Sequence, residues 1–234
     1  MSTRSIKKQV LALLAEQDVA LIIKGLEELP AKDVVNALFS GICRSDEIVR
    51  WHAVSCMGKM VDRLAEEDFE EARIIMRRLL WSLNDESGGI GWGAPETMAD
   101  IMTCNEKLAE EYAHMLLSYM REDGDEPWQD GNYLEHETLQ QGLLWGAGRL
   151  AMSRKKLMLD KGMAEDLPPY LDARDGSVRG LAVRAMGLLG EPKRLDRVRE
   201  LTEDPHIVRL YEDNTIVPVT VGELAEKALQ RIAD

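Results

Sequence analysis

The chain has 234 residues, 45% hydrophobic and 30% charged, a balance that supports a buried core and excludes a disordered polyelectrolyte. Its 42 acidic and 29 basic side chains leave a formal net charge of −13, which opposes both a nucleic-acid backbone and an anionic membrane surface. Cys43, Cys56 and Cys104 are widely spaced and form no metal-ligand or disulfide pattern, a usage that fits a reducing cytoplasm.

Residues 5–15 place Ile6, Val10, Leu13 and Leu14 on one face and predict an amphipathic helix. Glu16 and Asp18 make this region too polar for a signal peptide, and no later stretch is long enough to span a bilayer. A second helix is predicted over 20–29, where Pro30 stops it. These two helices are expected to cap the N-terminal end. Residues 31–43 predict a third helix. Ser45 is the expected N-cap of a fourth, with Asp46 and Glu47 in its first turn, where the helix dipole favours acids; it should run to about Ala65.

An apolar run over 72–83 predicts the next helix. It leads into Asn84, Asp85, Glu86 and a turn holding Gly88, Gly89, Gly91 and Gly93. The helix after the turn is expected to start at Ala94 or Pro95, since proline suits a first turn. The polar segment 122–132 is a predicted loop. Near the C-terminus, residues 206–211 and 215–220 flank Glu-Asp-Asn and predict a β-hairpin, with Pro218 placing the second strand at an edge. The hairpin is expected to close the end of the helical stack.

The chain repeats itself. Ala53-Val-Ser-Cys-Met57-Gly58 aligns with Ala182-Val-Arg-Ala-Met186-Gly187, and blocks ending at Ala99, Gly148 and Gln230 fit the same frame. Steps of this size are the mark of stacked helical pairs. The fuller form is an acid, spacers, Val-Arg and then Ala: Asp46-Glu-Ile-Val49-Arg50-Trp-His-Ala53 and Asp175-Gly-Ser-Val178-Arg179-Gly-Leu-Ala182. This pattern resembles the HEAT repeat, specifically the short HEAT-like repeats named after phycobilisome lyases, over roughly residues 30–234. The resemblance implies an all-α superhelix, a HEAT-like solenoid. Residues 1–234 would form one domain, with a terminal repeat at 204–234 carrying the hairpin.

In such solenoids the second helix of each pair lines the concave side, where partners bind. The repeat frame puts Trp51, Trp92, Gln141, Gly180 and Glu223 on one line, and Ser55, Glu96, Trp145, Arg184 and Lys227 one turn further. Four glycines in one turn give up helix propensity, each at a cost of up to about 1 kcal/mol relative to alanine, and local rules tend to be broken where function requires it. The candidate partner site is therefore Trp51, Asn84, Asp85, Glu86, Gly91, Trp92, Glu96 and Trp145. Free N–H groups at the late helix start could hold an anion; the favoured alternative is a plain turn in which glycine C-caps the preceding helix.

Other chemistry finds less support. The glycines lack the Lys-Ser/Thr of a P-loop and the preceding strand of a dinucleotide site. The pair His136-Glu137 resembles the iron-binding pairs of HEAT-repeat deoxyhypusine hydroxylases, which need several, so no metal is expected. Met57, Met60, Met98, Met102 and Met186 recur at core spacing and are expected to fill the interior. The sequence thus predicts a monomeric, non-catalytic scaffold that binds a protein or peptide, without cofactor, nucleic acid or membrane. The resemblance also implies two alternatives. One is a cofactor-handling auxiliary of the bilin-lyase type. The other is a HEAT-like DNA glycosylase, which would need a basic groove.

Overall fold

The structure, a computed structural model, describes residues 2–84, 91–125 and 131–233. Thirteen α-helices lie among them. The first seven are α1 Thr3–Leu13, α2 Val19–Glu27, α3 Ala31–Ile42, α4 Glu47–Glu67, α5 Phe69–Leu83, α6 Ala94–Cys104 and α7 Glu106–Ser118. They are followed by α8 Glu137–Ser153, α9 Lys155–Asp160, α10 Met163–Asp166, α11 Gly176–Leu189 and α12 Leu195–Glu200. A two-stranded sheet, β1 Ile207–Glu212 and β2 Thr215–Thr220, precedes α13 Val221–Ala233.

Short polar side chains start these helices by accepting from otherwise orphaned backbone N–H groups. The Asp18 carboxylate accepts from the Ala20 N–H at 2.8 Å, and Asp68 takes the N–H groups of Glu70 and Glu71. The N-cap of α4 is Asp46, not Ser45: its carboxylate accepts from the Val49 N–H at 3.1 Å. Asp175 does the same for α11, accepting from the Val178 N–H at 2.8 Å. The acid and valine of the repeated motif are thus a cap and the residue it caps. His136 caps α8, its Nδ1 accepting from the Thr138 N–H at 3.2 Å.

By internal packing the chain divides into two compact units, Met1–Ala109 with Asp213–Thr215, and Glu110–Glu212 with Ile216–Asp234. In the first unit α1 packs on α3, α3 on α4 and α4 on α6, with α5 against both α4 and α6. Its interior is built from Val34, Leu38, Met57, Met60, Met76, Met98 and Met102, all buried, so the methionines at repeat spacing fill the core. Cys56 joins them, and burial, with the nearby charge of Asp100, pushes its thiol up to about 12. None of the three cysteines is in a disulfide.

In the second unit α11 packs between α8 and α13. The closest approach is at Gly187, where a Cβ would lie 2.5 Å from the Ala228 Cα, so only glycine lets these helices meet there. The hairpin turns through Asp213 and Asn214, both at positive φ (48° and 61°), as a two-residue hairpin turn requires. β1 lies on α11, with Val208 against Gly180, and reaches α8 through Tyr211, while α13 also packs on α11. No residue separates β2 from α13. Thr220 and Glu223 form a capping box: the Thr220 Oγ1 accepts from the Glu223 N–H at 3.1 Å, and the Glu223 carboxylate accepts from the Thr220 N–H at 2.7 Å.

Candidate functional site

Asn84 ends α5. Its backbone N–H bonds the Trp81 carbonyl at 3.1 Å, and its side-chain amide donates to the Leu80 carbonyl at 3.2 Å. The amide is therefore committed to closing the helix. Asp85, Glu86, Gly88 and Gly89 lie outside the described residues. Gly91 is buried, and a Cβ there would stand 2.8 Å from the Ser82 carbonyl oxygen. Gly93 has φ 73° and serves as the N-cap position of α6, with the Ile42 carbonyl 3.0 Å from where a Cβ would sit. The helix starts at Ala94 with Pro95 next, as the sequence predicts.

The N–H groups of Ala94 and Thr97 at the start of α6 have acceptors of their own. The Ala94 N–H bonds the Gly91 carbonyl at 3.0 Å, Pro95 has no N–H, and the Thr97 N–H bonds the Gly93 carbonyl at 3.0 Å. The Glu96 N–H serves its own carboxylate. Gly91 and Gly93 thus form a helix start whose described donors are already paired.

Glu96 is half-buried, but its Oε2 is out of water and has no hydrogen-bond partner among the described residues. Burial pushes its carboxyl up to about 7, while its own backbone N–H and the charge of Arg50 pull the other way. Trp51, one residue beyond Arg50 on α4, is 7% exposed. Trp92 is 38% exposed. The packing of α4 on α6 therefore places Trp51 and Glu96 on adjacent helices of one unit, with Trp92 the residue of the three that faces solvent most.

Trp145 belongs to the second unit. It is 6% exposed, and its indole N–H donates to the Tyr211 carbonyl at 2.8 Å. Its repeat neighbours share that fate: Gly180 lies under Val208, and the Arg184 guanidinium pairs with Glu212 at 2.6 Å. On α8 and α11 the hairpin covers Trp145, Gly180 and Arg184, while Gln141 donates to the Asp175 carboxylate at 3.2 Å.

Trp81 lies outside the lines of residues that the repeat frame picks out. At 74% exposure it is the most exposed large apolar side chain among the described residues. Ile74, seven residues earlier on the same helical face, is also exposed, while Ala72, Ile75, Met76 and Leu79 point into the core. The signal was available, since Trp81 falls outside the buried stripe of α5. Among the described residues no cluster of His, Cys, Asp or Glu converges in a way that could hold a metal ion, and no helix is long and apolar enough to cross a membrane.

No protein-family model matches the sequence. An uncharacterized protein of Archaeoglobus fulgidus is 25% identical over 202 residues, covering 85% of this chain and 95% of that one. Among solved structures, an engineered protein superposes with a TM-score of 0.54 at 14% identity, over 100% of this chain and 97% of its own. Computationally designed armadillo repeat proteins for modular peptide recognition give a TM-score of 0.53 at 14% identity, over 98% and 91%. A designed armadillo repeat protein in complex with the peptide (KR)4 gives 0.52 at 14%, over 96% and 98%. The fold class is therefore an all-α helical-repeat solenoid with a small hairpin near the C-terminus. HEAT-like is a coarse description of it; the neighbours are armadillo-type.

Proposed function

We propose that this chain is a non-catalytic, monomeric repeat scaffold of the cytoplasm that binds a protein or peptide through its first unit. The observation that carries the reading is the pair of exposed indoles, Trp81 at the end of α5 and Trp92 just before α6, on either side of the glycine turn. Tryptophan concentrates binding energy at interfaces, and soluble chains otherwise tend to cover it. The designed armadillo neighbours support a peptide as the kind of partner, since one set was made for peptide recognition and one protein holds (KR)4. Glu96 would set the charge preference, and Trp51, buried on the adjacent helix α4, would hold the shape of the surface. A small cofactor at Gly91–Glu96 has less behind it, because the Ala94 and Thr97 N–H groups there already have acceptors.

The test begins with partners captured from the source cell and then measured with purified components. Trp81→Ala with Trp92→Ala, in protein shown to be folded, should weaken a genuine partner at least tenfold, about 1.4 kcal/mol. Unchanged affinity in the folded double variant would put the binding surface elsewhere.

A further inference from the structure

The second unit holds a recess of about 410 Å³ between the chain leaving α7 and the 3₁₀ turn Pro168–Asp172 that follows α10. That volume is in the range of small-ligand sites. Tyr133 and Tyr170 line it as a stacked pair, their ring centroids 6.2 Å apart and their planes 28° from parallel. Both phenols are held: the Tyr170 hydroxyl donates to the Met120 carbonyl at 3.3 Å, and the Tyr133 hydroxyl accepts from the Gln140 amide at 3.0 Å. Met120 and Pro169 add apolar wall.

The charged lining is mostly acidic. Glu122, Glu165, Asp166 and Asp172 face a single lining cation, Arg121. Arg121 is engaged by Asp166 at 2.7 Å and by the Lys161 carbonyl at 3.0 Å. Lys193 reaches Glu165, and Arg194 and Arg197 reach Asp172, from outside the lining. Burial, and after it the charges of Tyr133, Asp166 and Glu122, raise the Tyr170 phenol above its ordinary value. An aromatic pair beside carboxylates favours a cation with an apolar stem, which gains from the ring faces as well as from the charge.

We propose that this recess binds an alkylammonium or alkylguanidinium ion, with its stem against Met120, Pro169 and the tyrosine rings and its head toward Glu122 and Glu165. The site uses no residue of the Trp81–Trp92 surface and stands whether or not that surface binds. Its cation could come from a lysine or arginine side chain of a protein or from a free amine.

The full-length chain, ¹⁵N-labelled, is titrated with three probes: N-acetyl-lysine methylamide, 1,5-diaminopentane and N-acetyl-glutamate methylamide. The cationic probes should shift the amides of residues 120–122, 133, 165–167 and 170–173, and the glutamate probe should not. The double variant Glu122→Gln with Glu165→Gln alters two exposed side chains, so the fold is retained, and it should weaken the cationic probes at least fivefold. Tyr133→Leu should weaken them at least threefold. Tighter binding of the lysine amide identifies a protein side chain as the source, and tighter binding of the diamine a free amine; either result upholds the site. No shift by either cation at tens of millimolar, equal shifts by the glutamate probe, or unaltered binding in the variants would overturn it.

Discussion

The indole N–H of Trp145 and the carbonyl of Tyr211 meet at 2.8 Å in a buried setting, and their rings stand 6.3 Å apart. This contact joins the hairpin to α8. Trp145→Phe keeps most of the apolar bulk but leaves the carbonyl without this donor. The expected loss is about 1–3 kcal/mol, the cost of a buried group left unsatisfied. It should appear as a lower urea midpoint with an unchanged slope. A midpoint equal to that of the wild type would mean that the bond adds nothing net.

Asp46→Ala and Asp175→Ala should each cost about 1 kcal/mol, because each removes the acceptor for a valine N–H at a helix start. Ser45→Ala should be close to neutral. Thermal melts of the three variants decide it. A larger loss from Ser45→Ala than from Asp46→Ala would return the cap to the serine.

Gly187→Leu should destabilise by about 1–3 kcal/mol or more, since the first added carbon already falls 2.5 Å from the Ala228 Cα. Gly187→Ala should share part of that loss. If both variants melt with the wild type, α11 and α13 do not meet at this point.

Glu96 gives the chain a pH signature. Its folded carboxyl titrates near 7 and its ordinary value is 4.5, so between those limits the folded state holds more proton than the unfolded one. Stability contributed by this group therefore falls as pH rises through that window and levels off above it. The change is on the order of 3 kcal/mol at most. Glu96→Gln removes the proton exchange. Followed by denaturant midpoints from pH 5 to 8, the stability of wild type relative to the variant should fall up to about pH 7 and then level off. A difference that stays constant across the window would show that Glu96 does not titrate there.

Much of the fold was legible because periodicity and capping are local. The helix start at Ala94, the methionine core and the hairpin with Pro218 on an exposed edge could all be read from neighbours in sequence. Ser45 and Asp46 were harder to separate, since both are good caps one residue apart and the choice depends on which oxygen reaches the Val49 N–H. The candidate site was legible only in part. Trp145 falls on the line given by the repeat frame, but a frame built from helices alone cannot show that Tyr211, 66 residues later, covers it. The tyrosine recess had no signal at all, because its lining comes from segments at 120–122, 133 and 165–173 that share no motif.

The junction of β2 and α13 has a consequence for how this chain can change. A strand alternates faces at every residue, while a helix turns by about 100° per residue. With Thr220 and Val221 adjacent and locked by the Thr220–Glu223 exchange, the two phases are coupled. One residue inserted between them would rotate α13 by more than a quarter turn and carry Ala228 away from Gly187. The hairpin thus acts as a key that sets the angular phase of the last helix, and length variation at this seam is a mis-timing of the helix rather than a longer loop.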